Sequence, residues 1–387
     1  MSFLRAARAA LAGQSGLPRI LAAIFVVIIV LPAGLSLSCG SGSLGRPNHN
    51  AYVTLPNDGS VALLHINGAT GAISVGFQTP QVGGTTPIGL ALLPSKKFLY
   101  AVNSFANSIS IYAVALDGTL TPAGNPIPEG GSGPVAAVID PSGTYLLVTN
   151  NFTDDISVFS IDPDSGALSP LGLPVPANSS PSEILFTHSG KFVYVSNPSL
   201  GMVTGFSFSN GVLSPVPNSP VFSGLGAIGL AVDSSDRYLY VANPSASNPL
   251  VPTEGNISGF SIDPTSGKLT AILGSPFTAT NGIGPSAITV DPSGRFVYAF
   301  ATGSSSSIWC FTINPTNGQL VAVTGSPFSL VSGGLFALID PSGNYLYTGD
   351  QNGIDGYTYN PSTGVPTAIA GSPFSTGTEP GKMVLSE

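Results

Sequence analysis

The chain has 387 residues, of which 43% are apolar and only 8% charged, with 48 Gly and 35 Pro. A formal net charge of −8 argues against nucleic acid as a partner, since a polyanion needs a basic surface to displace its counterions. Gly and Pro at this level signal either disorder or many turns, and because apolar and aromatic residues recur in register here, we read turns between short strands.

Residues 1–38 read as an export signal. Arg5, Arg8 and Arg19 precede the apolar run Ile20 to Leu31, and small residues follow up to Cys39, the three-part plan of a secretory leader. The segment Leu35-Ser-Leu-Ser-Cys39 resembles a bacterial lipoprotein cleavage box, in which the Cys becomes the lipidated first residue. It departs from that box at Ser36, where a branched apolar residue is usual. An uncleaved anchor from Ile20 to Leu37 is the alternative, although that stretch barely reaches spanning length and contains Pro32. Either way the expected location is the cell envelope, outside the cytoplasm. Without residues 1–38 the chain keeps 8 basic and 19 acidic residues, a net of −11.

Residues 39–50 read as a polar tether, and residues 51–387 as one repetitive body. The only cysteines are Cys39 and Cys310, so lipidation of Cys39 precludes an intrachain disulfide. Cys310 sits in the apolar strand Ile308-Trp-Cys-Phe311 and reads as a buried, inert thiol.

The repeat is clearest at Pro181 to Asn197, PSEILFTHSGKFVYVSN. An apolar run, a polar turn and an aromatic-aliphatic-Tyr strand follow one another. Copies run from Pro87, Pro134, Pro181, Ala227, Pro285 and Leu335, and the turn positions Lys96, Gly143, Gly190, Asp236, Gly294 and Gly343 are spaced by 47, 47, 46, 58 and 49 residues. That period means a repeat architecture. Each copy reads as four strands joined by turns such as Asp140-Pro-Ser-Gly143 and Asp162-Pro-Asp-Ser-Gly166. In these turns Pro presets φ, Gly accepts φ > 0, and Asp bonds the backbone ahead.

Four-stranded units of this period predict an all-β fold, a seven-bladed β-propeller. Six units are complete. Before them, Tyr52 to Leu55, Val61 to Ile66 and Ala72 to Phe77 look like a blade without its first strand, and Pro380 to Leu385 looks like a first strand without its blade. The two ends complement one another, so the C-terminal strand is expected innermost in the N-terminal blade, closing the ring and removing an open edge.

The motifs Phe192-Val-Tyr-Val-Ser-Asn197, Tyr238-Leu-Tyr-Val-Ala-Asn243 and Asp140-Pro-Ser-Gly143 resemble the YVTN-type and lactonase-type seven-bladed propellers, among them 6-phosphogluconolactonase and a cycloisomerase branch. The resemblance covers residues 51–387. It implies His and Arg where the first strands enter the central funnel, but those places hold Ile88, Val135, Ser182, Ile228 and Ser286. Fold does not carry function, so activity has to be argued from the loops.

Loops from strand two to three, and from each blade to the next, share one face. Basic residues fall on the other: Lys96, Lys97, Lys191, Arg237, Arg295 and Lys268 lie in hairpins there, and only Lys382 can approach the first face. That face collects Asp58, Glu129, Asp154, Asp155, Glu183, Glu254, Asp350 and Glu379, so it is expected to be acidic. A phosphosugar is a poor fit for such a face. His49, His65 and His188 fall in the tether, an outer-middle strand and a far-face hairpin, which leaves no base for a Ser-His-Asp triad and no ligands for zinc.

Two candidate sites remain. Glu183, at the funnel mouth, has the chemistry of a general base on a lactone, or else is a solvated carboxylate. Asp154 and Asp155 offer paired carboxylates for calcium, or else are solvated; no other cofactor is expected. Asn103, Asn150, Asn197 and Asn243, with Asp350, are expected to ring the funnel near Phe105 and Phe152, groups suited to sugar hydroxyls or peptide. The resulting expectation is a monomeric, membrane-anchored binding module for a small carbohydrate, a peptide or an envelope protein. The alternative is a hydrolase of a sugar lactone, and what separates the two is whether two polar catalytic groups converge in the funnel.

Overall fold

The computed structural model describes residues 48–80, 86–244, 255–278, 284–301, 306–329 and 334–386. Their strands assemble into seven antiparallel sheets, each with four strands in radial order. Blade 1 is the composite one. Its innermost strand is Met383–Ser386, followed outward by His49–Leu55, Ser60–Ile66 and Ile73–Gln78. The pairs Ala51↔Leu385, Tyr52↔Val384 and Val53↔Met383 close the ring as the complementary ends required. The strand begins at His49, inside the segment read as tether, because His49 and Asn50 continue the ladder onto Ile66 and His65.

Side chains of a propeller strand point at the neighbouring blades, and the core follows from that. Apolar clusters lie between adjacent blades, one at each of the seven interfaces. Between blades 5 and 6, for example, Tyr240, Ala242 and Ile257 pack on Val297, Trp309 and Phe311. A tyrosine in the second strand of most blades does more than fill space. Its buried hydroxyl donates to the carbonyl of the glycine in the outer hairpin of the next blade. The bonds are Tyr52 to Gly118, Tyr100 to Gly166, Tyr194 to Gly267, Tyr240 to Gly318, Tyr298 to Gly364 and Tyr347 to Gly71, all within 2.7–2.9 Å. Blade 3 has Leu147 at this position.

The turns work as their residues dictate. Asp140 accepts the N–H groups of Ser142, Thr144 and Tyr145, and Gly143 takes φ +74°. Asp233, Asp291 and Asp340 repeat the arrangement in blades 5, 6 and 7. One feature of the outer edge was not legible. The fourth strand is short, and a further two-residue strand, such as Ile127–Pro128 or Val175–Pro176, pairs with the same third strand beyond it. In Gly-Ser-Pro-Phe motifs the serine hydroxyl takes the strand-three amide left between the two pieces, as Ser275 does for Gly259.

Candidate functional site

Among the described residues, the starts of the innermost strands and the residues just before them supply most of the lining of a cavity of about 620 Å³. Ile88, Val135, Ser182, Ile228, Ser286 and Leu335 come from successive blades, and Pro56, Asn57 and Lys382 come from composite blade 1. The wall is mostly apolar. Its charged members are Glu183, Glu379 and Lys382.

Glu183 and Lys382 occupy equivalent positions, each immediately before the innermost strand of its blade (Ile184–Phe186 in blade 4, Met383–Ser386 in blade 1). Those blades are three steps apart in a ring of seven, the largest separation available. Two long side chains therefore meet across the channel, with Lys382 Nζ 2.6 Å from Glu183 Oε1. Each remains about one-third exposed, at 35% for Lys382 and 32% for Glu183, so water and a small molecule can reach both.

Their backbones are fixed. Glu183 N–H donates to Ser196 Oγ at 3.1 Å, Ser196 N–H returns to Glu183 O at 3.0 Å, and Ser196 Oγ reaches on to Ile228 O at 2.8 Å. Lys382 N–H donates to buried Thr54 Oγ1 at 2.8 Å, and its carbonyl accepts Thr54 N–H at 2.9 Å. The side chains, not the main chain, supply whatever movement the site needs.

The expected asparagine ring lies elsewhere. Asn103, Asn150, Asn197 and Asn243 are buried at the ends of second strands, one strand away from the channel, and their amides are engaged inside the protein. Asn103 donates to Ser108 and Ser110, Asn197 to the carbonyls of Ala177 and Ser179, and Asn243 to Ser223 O and Ser258 Oγ. Asp350 is buried too, accepting from Asn352 and Gly353. These five residues tie off strand ends; they do not line the cavity.

The acidic face is also thinner than its acid count suggested. Glu129 is 1% exposed, and Asp58 and Asp155 are half-buried. Asp154 and Glu379 are exposed, whereas Glu254 lies outside the described residues. Asp154 and Asp155 turn to different partners: Asp154 Oδ1 accepts Ser180 N–H at 2.6 Å, and Asp155 Oδ1 accepts from Asn150 and Thr153. Phe105 and Phe152, at 84% and 77% exposure, stand at matching places in the loops of blades 2 and 3. The far-face pair of His188 and Asp236, 2.9 Å apart, is unrelated to the cavity.

Sequence reasoning placed Glu183 at the funnel and Lys382 near it but did not bring them together. The available signal was register, since Pro181-Ser-Glu183 and Pro380-Gly-Lys382 are the same step of the repeat.

A family model described as "Lactonase, 7-bladed beta-propeller" matches residues 46–180, 173–276 and 272–378. Among solved structures, the fold is shared with a candidate 6-phosphogluconolactonase from Bacteroides uniformis (TM-score 0.74, 21% identity, 88% of this chain and 100% of that one). It is shared equally with the periplasmic gluconolactonase PpgL of Pseudomonas aeruginosa (TM-score 0.73, 17% identity, 88% of this chain and 99% of that one). A functionally unknown protein from Desulfotomaculum acetoxidans also aligns (TM-score 0.67, 14% identity, 88% and 99%). Among curated proteins, none matches in sequence.

Proposed function

Because the chain belongs to the lactonase family of seven-bladed β-propellers, we propose that its central cavity hydrolyses the ring of an uncharged sugar lactone, with Glu183 and Lys382 as the reacting pair. The 2.6 Å contact between them carries the reading, since two complementary groups converge in the funnel. That convergence is the feature that separates a hydrolase from a binding module.

The chemistry follows from the groups. A lactone entering the cavity slips its carbonyl oxygen beside Lys382 Nζ and frees Glu183 to face a water. Glu183 takes a proton as the water oxygen attacks the carbonyl carbon. The charge that develops on the carbonyl oxygen is met by the Lys382 ammonium. Collapse breaks the ring C–O bond, and the leaving alkoxide recovers the proton from Glu183. The product is a hydroxy acid.

The names of the neighbours include both a phosphorylated and an unphosphorylated lactone, and the charges favour the second. A phosphate dianion calls for several charge-assisted donors, whereas this wall offers one lysine against Glu183 and Glu379. Hydrolysis of glucono-δ-lactone above the spontaneous rate is therefore the assay. Glu183→Gln is expected to lower kcat by about 10²–10⁴, and Lys382→Met by about 10²–10³. The 6-phosphorylated lactone should turn over more slowly than the plain one. Unimpaired turnover by Glu183→Gln would overturn the assignment.

A second reading has its own observation. Phe105 and Phe152 present two exposed rings in adjacent blades, a platform on which a sugar face or a peptide could stack. A wild-type protein that leaves lactones intact yet binds oligosaccharide, with binding lost in Phe152→Ala, would make this the function. In either case the proposal includes export and attachment through Cys39 in the cell envelope, a site outside the described residues.

A further inference from the structure

Blade 3 departs from its neighbours at one buried point. In blades 4 and 5 the second-strand asparagine donates to a carbonyl of the preceding blade, Asn197 to Ala177 O at 2.8 Å and Asn243 to Ser223 O at 3.1 Å. Their amide oxygens accept hydroxyls, from Thr204 at 2.8 Å and Ser223 at 3.3 Å. At the interface of blades 2 and 3 the register puts Glu129 where Ala177 and Ser223 stand, and Asp155 where Met202 and Asn256 stand. Two carboxylates thus enter positions that hold none in blades 4 and 5.

The donors there do not suffice. Asn150 Nδ2 is taken by Asp155 Oδ1 at 2.8 Å and Ser157 Oγ at 3.0 Å, and Gly131 N–H serves Glu129 Oε2 at 2.9 Å. Glu129 Oε1 and Asn150 Oδ1 are buried acceptors that receive no hydrogen bond. Among the described residues no basic side chain pairs with Glu129 or Asp155. Burial pushes the Glu129 carboxyl up, the neighbouring Ser157, Gly131 and Asn150 groups pull against that, and the charge of Asp155 adds a smaller push upward. A proton on Glu129 would remove its own charge but would leave the charge on Asp155.

We propose that this pocket between blades 2 and 3 binds a calcium ion through Glu129 Oε1, Asn150 Oδ1 and the carboxylate of Asp155. The donors are all hard oxygens, which suits calcium over a transition metal. Asp155 is half-buried and Thr153 exposed, so the ion has a route from solvent and waters can complete its shell. Asp154 takes no part, since its carboxylate is engaged by Ser180.

The test uses the full-length chain in detergent, stripped with EDTA and titrated with calcium chloride by calorimetry and by thermal denaturation. Magnesium and sodium chloride serve as comparators. One calcium per chain is expected, with a Tm rise of roughly 4 °C at a hundredfold excess over Kd. Glu129→Gln and Asp155→Asn, each checked for native circular dichroism, should lose the binding heat, and Asp154→Asn should keep it. If one of the first two fails to fold, the other decides. Absence of a calcium effect in the wild type, or calcium binding unchanged in both variants, would overturn the proposal. So would a calcium-insensitive wild type that Glu129→Gln stabilises at pH 7, which would mark Glu129 as a buried neutral acid.

Discussion

Replacing Tyr240 by Phe removes one oxygen and nothing else from the interface of blades 5 and 6. The hydroxyl is fully buried and donates to Gly318 O at 2.8 Å, and that carbonyl belongs to a turn in which Gly318 holds φ +74°. Burial pushes the phenol well above its usual range, so it stays a donor at any working pH. Losing the bond costs about 1 kcal/mol, and leaving the carbonyl buried without a partner brings the total to about 1–3 kcal/mol. With an unfolding entropy of about 2.1 cal/mol/K per residue over a ring of this size, Tm should fall by roughly 1–4 °C. Urea denaturation of wild type, Tyr240→Phe, Tyr347→Phe and the double variant measures the effect. The two sites lie at different interfaces, so their costs should add within about 0.5 kcal/mol. A midpoint for Tyr240→Phe that implies less than about 0.3 kcal/mol would refute the idea that hydroxyl latches stabilise the blade interfaces.

Deleting residues 379–387 should lower stability by more than about 4 kcal/mol, beyond the usual range of one side chain, because it exposes the edge of His49–Leu55 and uncovers the cluster around Met383; an unchanged Tm would rule out closure by this strand. Cys39→Ser should move the protein out of the membrane fraction, whereas retention there would favour an anchor within residues 20–37. In that same variant Cys310 should resist a thiol reagent at pH 8, since burial pushes its thiol up to about 12 and leaves almost no thiolate; rapid labelling of the folded protein would contradict the burial.

The strands, hairpin turns and closure were legible because their signals are local. Alternation in Phe192 to Asn197 marks a strand, Asp140-Pro-Ser-Gly143 marks a turn, and the complementary ends at Tyr52 and Pro380 mark a ring. The site was less legible. Glu183 and Lys382 are 199 residues apart, and nothing in either neighbourhood names the other. Only the ring converts matching register into a contact. The asparagines misled for a related reason: a residue that closes the second strand is near the channel along the chain but is screened from it by the innermost strand. The tyrosine latches were hidden because Tyr on a buried strand reads as bulk, and its hydroxyl partner lies 66 to 78 residues ahead in five blades and across the closure in Tyr347.

The composite blade also sets an order of events. The strand that Lys382 immediately precedes follows every other strand among the described residues, so during synthesis it arrives after the remaining blades have been made. Until then the channel has its carboxylate but lacks the ammonium opposite it. A chain cut short by early termination or by a protease is thus left with an open ring and without the Glu183–Lys382 contact by the same loss. Closure of the ring and formation of the Glu183–Lys382 contact are therefore a single step.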